Sequence, residues 1–308
     1  MDDAESTHSA RRRRLPLTGA FWYRAHAWVV RWLPRPLVPP LVILCAVLGQ
    51  IVLGDVRRAV ASNLAVVLGP AGFWRTQVRV FENLRSFVWC LQERYEGLCT
   101  DRTMHVEFEG LDHWQGVIDR DEGFLLLTAH VGHWEAGSML PADHFDRGVH
   151  VVREEEEDPA AQVFLRDLLQ RRGGARYTMH FAGGDPASLG TRLVLALRRG
   201  DVVAIQGDRP ARQGRRVTAQ LFGQPYEVPE GPVALAQAAE VPILPCFVYR
   251  TGRSAARVVF RPTFRVERTA DRRADRRAAV ERMAAEVEGA IRREPHQWFC
   301  FREVWASK

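Results

Sequence analysis

The chain has 308 residues, 46% of them hydrophobic, and a formal net charge of +6. That content belongs to a folded core rather than a disordered chain, and the length suits one sizeable α/β domain with an appendage or two small domains. The positive charge is almost all arginine, because Lys308 is the only lysine, which excludes a P-loop, a Schiff-base enzyme and a kinase-type lysine; no GxGxxG or GxSxG occurs either.

The first element is a basic, aromatic and apolar segment over 1–54. No acidic residue lies between Glu5 and Asp55, whereas Arg11, Arg12, Arg13, Arg14, Arg24, Arg31 and Arg35 do, interleaved with Phe21, Trp22, Tyr23, Trp28 and Trp32. Pro36 to Gly54 then carries no charge. Arginines and interfacial aromatics beside an apolar run predict contact with an anionic membrane surface rather than with nucleic acid. Pro39-Pro40 break this run near its start. A spanning helix needs about 20 apolar residues, so Leu41 to Leu53 reads as an interfacial or re-entrant helix, with a tilted single span as the alternative. No small-residue cleavage site follows, so the segment does not read as a cleaved signal peptide.

A helical lead-in is predicted over 55–100, where Val60, Leu64, Val67 and Leu68, then Phe81, Leu84, Val88 and Leu91, recur at helical spacing. The α/β core occupies 101–308. Strands are predicted at Met104–Phe108, Gly123–Ala129, Val149–Val152, Val202–Ile205, Ile243–Tyr249 and Arg257–Phe260. Helical patterns over Ala160–Arg172, Ser188–Arg199 and Pro232–Ala239 alternate with several of them. A last amphipathic helix carries Val280, Met283, Val287 and Ile291. Such alternation predicts βαβ units and a mostly parallel central sheet flanked by helices. Five cysteines (45, 90, 99, 246, 300), odd in number and without a CxxC pair, fit reduced thiols better than a disulfide scaffold.

The chemistry concentrates at Leu125-Leu-Leu-Thr-Ala-His130-Val-Gly-His133-Trp-Glu135. The apolar run delivers His130 to the carboxyl end of a strand, the edge at which open α/β sheets bind ligands. A short helix is predicted to follow Gly132 and to end before Pro141. A histidine with a nearby carboxylate is a general base, and Glu135 is the carboxylate closest in sequence. Five residues turn an ideal helix through roughly 500°, leaving the two side chains about 140° apart, so the pair meets only if the chain folds back at Gly132. If the strands are parallel, Arg153 and Asp208-Arg209 reach the same edge. Arginine there suits a phosphate or a developing oxyanion; the bland alternative is a surface ion pair. Glu230, opening a helix, is a weaker carboxylate candidate. No His/Cys cluster has metal-ligand spacing, so no metal is expected.

In this order, His130-x4-Glu135, Arg153, Asp208 after Val202-Val-Ala-Ile-Gln, Leu221-Phe-Gly223, Pro229-Glu-Gly-Pro-Val-Ala-Leu235-Ala and Val241-Pro-Ile-Leu-Pro245 resemble the lysophospholipid acyltransferase superfamily. The bacterial lipid A late acyltransferase branch and related glycolipid acyltransferases are most similar. Arg57 to Leu64 and Pro295-His-Gln297-Trp298 look like that branch's flanking elements. Two positions depart from it: His133 stands where the branch carries Asn or another small polar residue, and the chain closes on Phe299-Cys-Phe-Arg-Glu rather than on a His- and Arg-rich ending.

The resemblance implies a glycerol-3-phosphate acyltransferase-like fold and transfer of a fatty acyl group from a thioester to a hydroxyl of a membrane glycolipid or phospholipid. The thioester is carried by acyl carrier protein or coenzyme A, and no further cofactor is needed. It also implies His130 as base, Glu135 as its partner, and Arg153, Asp208, Arg209 and Glu230 near the substrates, on the cytoplasmic face of a bacterial inner membrane. The rival readings are a metal-dependent lipid hydrolase, which a chelator would stop, and a non-catalytic membrane-binding protein, in which changing His130 would cost at most stability.

Overall fold

The computed structural model describes residues 19–100, 102–135, 147–155, 158–173, 176–182, 185–210 and 214–305. Four helices come first: α1 (Ala20–Trp32), α2 (Val38–Val52), α3 (Gly54–Leu68) and α4 (Phe73–Cys99). Pro39 and Pro40 do not interrupt α2. They occupy its first turn, where a missing N–H costs nothing, so the helix starts at Val38 rather than at Leu41. Val38, Val42 and Ala46, four residues apart, are the buried stripe of α2. They pack among Val80, Leu84, Val88 and Trp89 of α4. The Gln50 amide donates to Gln77 Oε1 at 3.0 Å, so α2 runs antiparallel to α4 with its far end level with Gln77.

The outer surface of this helical layer stays apolar. Ile43, Leu44, Val47, Leu48, Ile51 and Val52 are exposed along α2, as are Phe21, Trp28 and Trp32 along α1. At the start of α4, Phe73 and Trp74 are 67% and 79% exposed. The stretch Arg35–Val52 is long and apolar enough to cross a membrane, with a mean hydropathy of 1.8, and only 17% of it is buried.

Strands β1 (His105–Glu109), β2 (Phe124–Thr128), β3 (Val149–Arg153), β4 (Tyr177–Phe181), β5 (Val202–Gln206), β8 (Ile243–Gly252) and β9 (Ala255–Phe260) form a seven-stranded sheet in the order β1-β9-β8-β2-β5-β3-β4. Strands β2, β3, β4, β5 and β8 are mutually parallel, whereas β9 runs antiparallel to β8 and carries β1 parallel to itself. The mostly parallel sheet expected from the alternation of elements is therefore present. Helices α5 (Leu111–Ile118), α6 (Pro159–Gly173), α7 (Pro186–Arg198), α8 (Gly231–Ala239) and α9 (Arg272–Arg293) flank it.

The middle strand explains its own sequence. Leu125 and Leu127 join the core shared with α7, α8 and α9, and Phe124 and Leu126 join the core on the opposite face, so β2 is apolar from Phe124 to Leu127. Three strands escape the sequence reading. Strand β4, Tyr-Thr-Met-His-Phe, carries polar residues because it is a sheet edge. The hairpin β6 (Arg216–Leu221) to β7 (Gln224–Pro229) turns at Phe222-Gly223, both at positive φ, the backbone of a two-residue primed turn. Phe222 at φ 51° is an unusual residue there, which hides the turn from a composition-based reading.

Candidate active site

The site begins where β2 ends. The backbone after Thr128 makes a sharp loop held from three sides. The Val131 N–H donates to Ala129 O at 2.7 Å, Gly132 N–H to Gln297 O at 2.9 Å, and His133 N–H to Val248 O at 2.8 Å. Gly132 has φ +54°, and a Cβ there would lie 2.2 Å from Val248 O, so only glycine fits this turn. His130 is left at the carboxyl edge with 21% of its side chain exposed.

Asp208 follows β5, the neighbour of β2, and is fully buried. Its Oδ1 lies 2.7 Å from His130 Nδ1 and accepts the His130 backbone N–H at 3.2 Å. Trp298 Nε1–H donates to Oδ2 at 3.3 Å, and Tyr226 O–H donates to the Asp208 carbonyl at 2.6 Å. An acid that only accepts fixes the proton on Nδ1, which makes Nε2 the basic nitrogen. Among the described residues no hydrogen-bond partner reaches Nε2.

Burial alone would push the Asp208 carboxyl up. The charge and hydrogen bond of His130, with Arg209 beside it, instead hold it far below the usual carboxylate range. His130 moves down from its ordinary value, first through burial and then through Arg209, while Asp208 and Glu135 pull the other way. The ring is thus neutral, and basic at Nε2, at physiological pH.

Glu135 has gone elsewhere. Trp134 and Glu135 open a helix whose expected continuation past Met139 and Leu140, ending before Pro141, lies outside the described residues. The carboxylate accepts from Arg153 Nη1 at 2.7 Å through Oε1 and meets Arg94 Nε of α4 at Oε2. This corrects the expected His130–Glu135 pairing: the carboxylate on His130 Nδ1 is that of Asp208. The physical reason is strand order: β5 lies beside β2 and brings Asp208 to the His130 ring, while Arg153 of β3 and Arg94 of α4 hold Glu135. Burial would raise Glu135, but Arg153 and Arg94 outweigh it and hold it ionised.

His133, the other histidine of the motif, is buried with Nε2 3.0 Å from Glu93 Oε2. Glu93 also takes Arg250 Nε at 3.0 Å and the Ser254 N–H at 2.9 Å. His133 is thus a brace between the loop and α4. Arg209 lies beside Asp208 and donates to Phe299 O at 3.3 Å. Glu230 is engaged by Arg276 and Arg215, at 3.3 and 3.6 Å, and among the described residues makes no contact with His130 or Asp208. The described residues contain no His, Cys, Asp or Glu group that could hold a metal ion.

Sequence reasoning missed Arg94, Glu93 and Tyr226 and read Trp298 only as a flanking element. Arg94 and Glu93 sit on a helix whose pattern reads as packing, and no local signal marks them. The run Pro295-His-Gln-Trp was the available signal for Trp298.

The fold and site together define an α/β enzyme that presents a histidine–aspartate pair and a half-buried arginine–glutamate cluster at the carboxyl edge of a mostly parallel sheet, a constellation suited to activating a hydroxyl. The chain belongs to the bacterial lipid A biosynthesis acyltransferase family, which matches it over residues 6–307, and it is an acyltransferase. No curated protein sequence matches it. Among solved structures, the 1-acyl-sn-glycerophosphate (LPA) acyltransferase PlsC from Thermotoga maritima aligns with 83% of this chain and 98% of its own, at 13% identity and a TM-score of 0.37.

Proposed function

We propose that this acyltransferase moves a fatty acyl group from a thioester, on acyl carrier protein or coenzyme A, to a hydroxyl of a membrane glycolipid or phospholipid, with His130 as general base. Nε2 takes the hydroxyl proton as the oxygen attacks the thioester carbonyl. The C–S bond then breaks, and the imidazolium returns the proton to the departing thiolate. Asp208 stabilises the imidazolium in between. The observation that carries this reading is the 2.7 Å contact between His130 Nδ1 and Asp208, on a ring whose side chain is 21% exposed.

Two groups could stabilise the oxyanion: the backbone amides after His130, and Arg153. The amides of Val131, Gly132 and His133 are already committed to Ala129, Gln297 and Val248. Arginine is therefore the better candidate. Arg153, with Arg209 nearby, would meet the developing oxyanion or an anionic headgroup. Glu135 would serve by holding Arg153 and Arg94 in place and by adding its charge to the field around His130.

The acceptor is a membrane lipid, so the open apolar face is read as the membrane contact, on the cytoplasmic side. α2 lies beside α4 from Val42–Trp89 to Gln50–Gln77. Crossing a bilayer would drag Arg79, Glu82 and Arg85 of α4 with it, at about 2.5–3.5 kcal/mol for each charge at the centre. An in-plane position avoids this. Ile51, Val52, Phe73 and Trp74 would dip into the apolar layer, and Arg24, Arg31, Arg35 and Arg75 would remain at headgroup level. The tetra-arginine at 11–14 lies outside the described residues; its charges would add about 1 kcal/mol each near an anionic surface.

The test has two arms. His130→Ala should lower acyl transfer by on the order of 10²–10⁴ while leaving the protein folded, whereas His133→Asn should keep most activity because His133 faces Glu93 and not the His130–Asp208 pair. A dead His133→Asn beside an active His130→Ala would move the base to His133. For the membrane contact, Trp74→Ala should weaken flotation with vesicles of anionic phospholipid at all salt concentrations. Neutralising Arg11 to Arg14 should weaken it only at low salt. Unchanged flotation in both would place the contact elsewhere.

A further inference from the structure

Three consecutive residues near the end of the described chain touch the histidine loop, Asp208 and Arg209. Gln297 O accepts the Gly132 N–H at 2.9 Å, and Phe299 N–H donates to His130 O at 2.9 Å, so the segment pairs antiparallel with the backbone on either side of Val131, directly after the histidine. Between them Trp298 donates from Nε1 to Asp208 Oδ2, and Phe299 O accepts from Arg209. The Gln297 amide closes the third side: its Oε1 accepts the Arg250 N–H and its Nε2 donates to Arg250 O, both at 2.8 Å. Trp298, Phe299 and Cys300 are at most 2% exposed, so these contacts are made in the core.

The segment is itself held from behind. The Asn83 side chain of α4 donates to Trp298 O at 2.9 Å and to His296 O at 3.1 Å. The Asn63 side chain of α3 donates to Cys300 O at 3.0 Å and to Arg302 O at 2.9 Å. Buried side-chain amides spent on backbone carbonyls bring no packing advantage over apolar residues, and their value lies in fixing one geometry. The strand ends alone do not fix the His130–Asp208 distance, because both residues lie on loops beyond β2 and β5.

We infer that Gln297–Phe299 is a positioning clamp for the histidine–aspartate pair, with Trp298 as its positioning residue: the indole N–H orients the Asp208 carboxylate so that Oδ1 faces His130 Nδ1. This goes beyond the general-base reading and rests on it. Trp298 touches no reacting atom. Its indole shares the carboxylate with the imidazole, so losing the N–H leaves Asp208 a stronger acceptor toward His130 and frees it to rotate. The other charges acting on His130 are Arg209 and Glu135.

The test uses the full-length protein in detergent, with Trp298→Phe and a second variant carrying benzothienylalanine at 298, which keeps the indole shape and lacks the N–H. Two quantities are read: the pH titration of the His130 ring nitrogens by ¹⁵N NMR, and thiol release from palmitoyl-coenzyme A with bacterial membrane lipid as acceptor. The clamp predicts in both variants that the His130 titration moves up by about half a pH unit. It also predicts that kcat falls by on the order of tenfold with KM within about twofold, as for misplacement of a base. A residue that only fills space would lower the melting temperature of the Phe variant alone and leave the titration in place.

An unmoved titration with normal turnover in the benzothienylalanine variant overturns the clamp. The base reading fails separately, by an active His130→Ala. If palmitoyl-coenzyme A proves not to be a donor, the titration alone decides.

Discussion

Two acids in this enzyme, the buried Asp208 and the half-buried Glu135, keep different company. Asp208 faces a histidine and an indole; Glu135 faces two arginines. Both carboxyls are held below their ordinary range against the pull of burial. The partners make the difference. A guanidinium stays protonated at every working pH, so the Glu135 cluster is a fixed array of charge. An imidazole gains and loses its proton near neutrality, so the Asp208 cluster follows the proton of a reaction. The first is equipped to hold a shape and the second to change state.

Breaking each pair separately sharpens that contrast. Asp208→Asn should have the largest effect on rate, a loss of on the order of 10⁴ in kcat, because an amide in place of the acid favours the wrong tautomer. Its substrate affinity should hardly change, and comparing kcat with KM checks this. Glu135→Gln should show the reverse balance. Arg94 and Arg153, both half-buried, lose the carboxylate between them; breaking a fully buried pair costs about 3–5 kcal/mol of stability, and this partly exposed one should cost less. The melting temperature should therefore fall clearly, with activity falling alongside as Arg153 drifts. A Glu135→Gln protein of normal melting temperature but no turnover would return Glu135 to the role of direct partner to His130.

The smallest effect is a shift along the pH axis. A base works in its neutral form, and burial with Arg209 lowers the His130 pKa. The acid limb of kcat/KM should therefore lie below the ordinary histidine value of about 6.5. Asp208 and Glu135 both oppose that lowering, Asp208 more strongly. Residual activity in Asp208→Asn should thus fall away at a lower pH than in the parent, and in Glu135→Gln by a smaller step. Limbs that move equally would mean that the two acids act on His130 alike.

The sequence carried the frame of this arrangement more fully than its pairings. An unbroken apolar run announces β2 as the sheet's middle, and strands that alternate with helices run parallel, so His130, Arg153 and Asp208 all reach one edge. Which carboxylate meets the histidine depends on strand order. That β5 lies beside β2, while β3 lies one strand further, is decided by crossovers that periodicity does not record. Arg94 enters from α4 and Trp298 lies 168 residues beyond His130, and only folding brings either into register.

The distance along the chain between His130 and its clamp also has a history in time. At about 5–20 residues per second, synthesis places roughly 8–34 s between the two segments. Throughout that interval the helices proposed to meet the membrane, α1 to α4, have already been synthesised, while the histidine loop lacks Gln297, Phe299 and the indole that donates to Asp208. On the proposed membrane contact, a nascent chain would settle on the bilayer before it could transfer an acyl group. Chains stalled at successive lengths should float with vesicles early and gain acyl transfer only once Phe299 has left the ribosome.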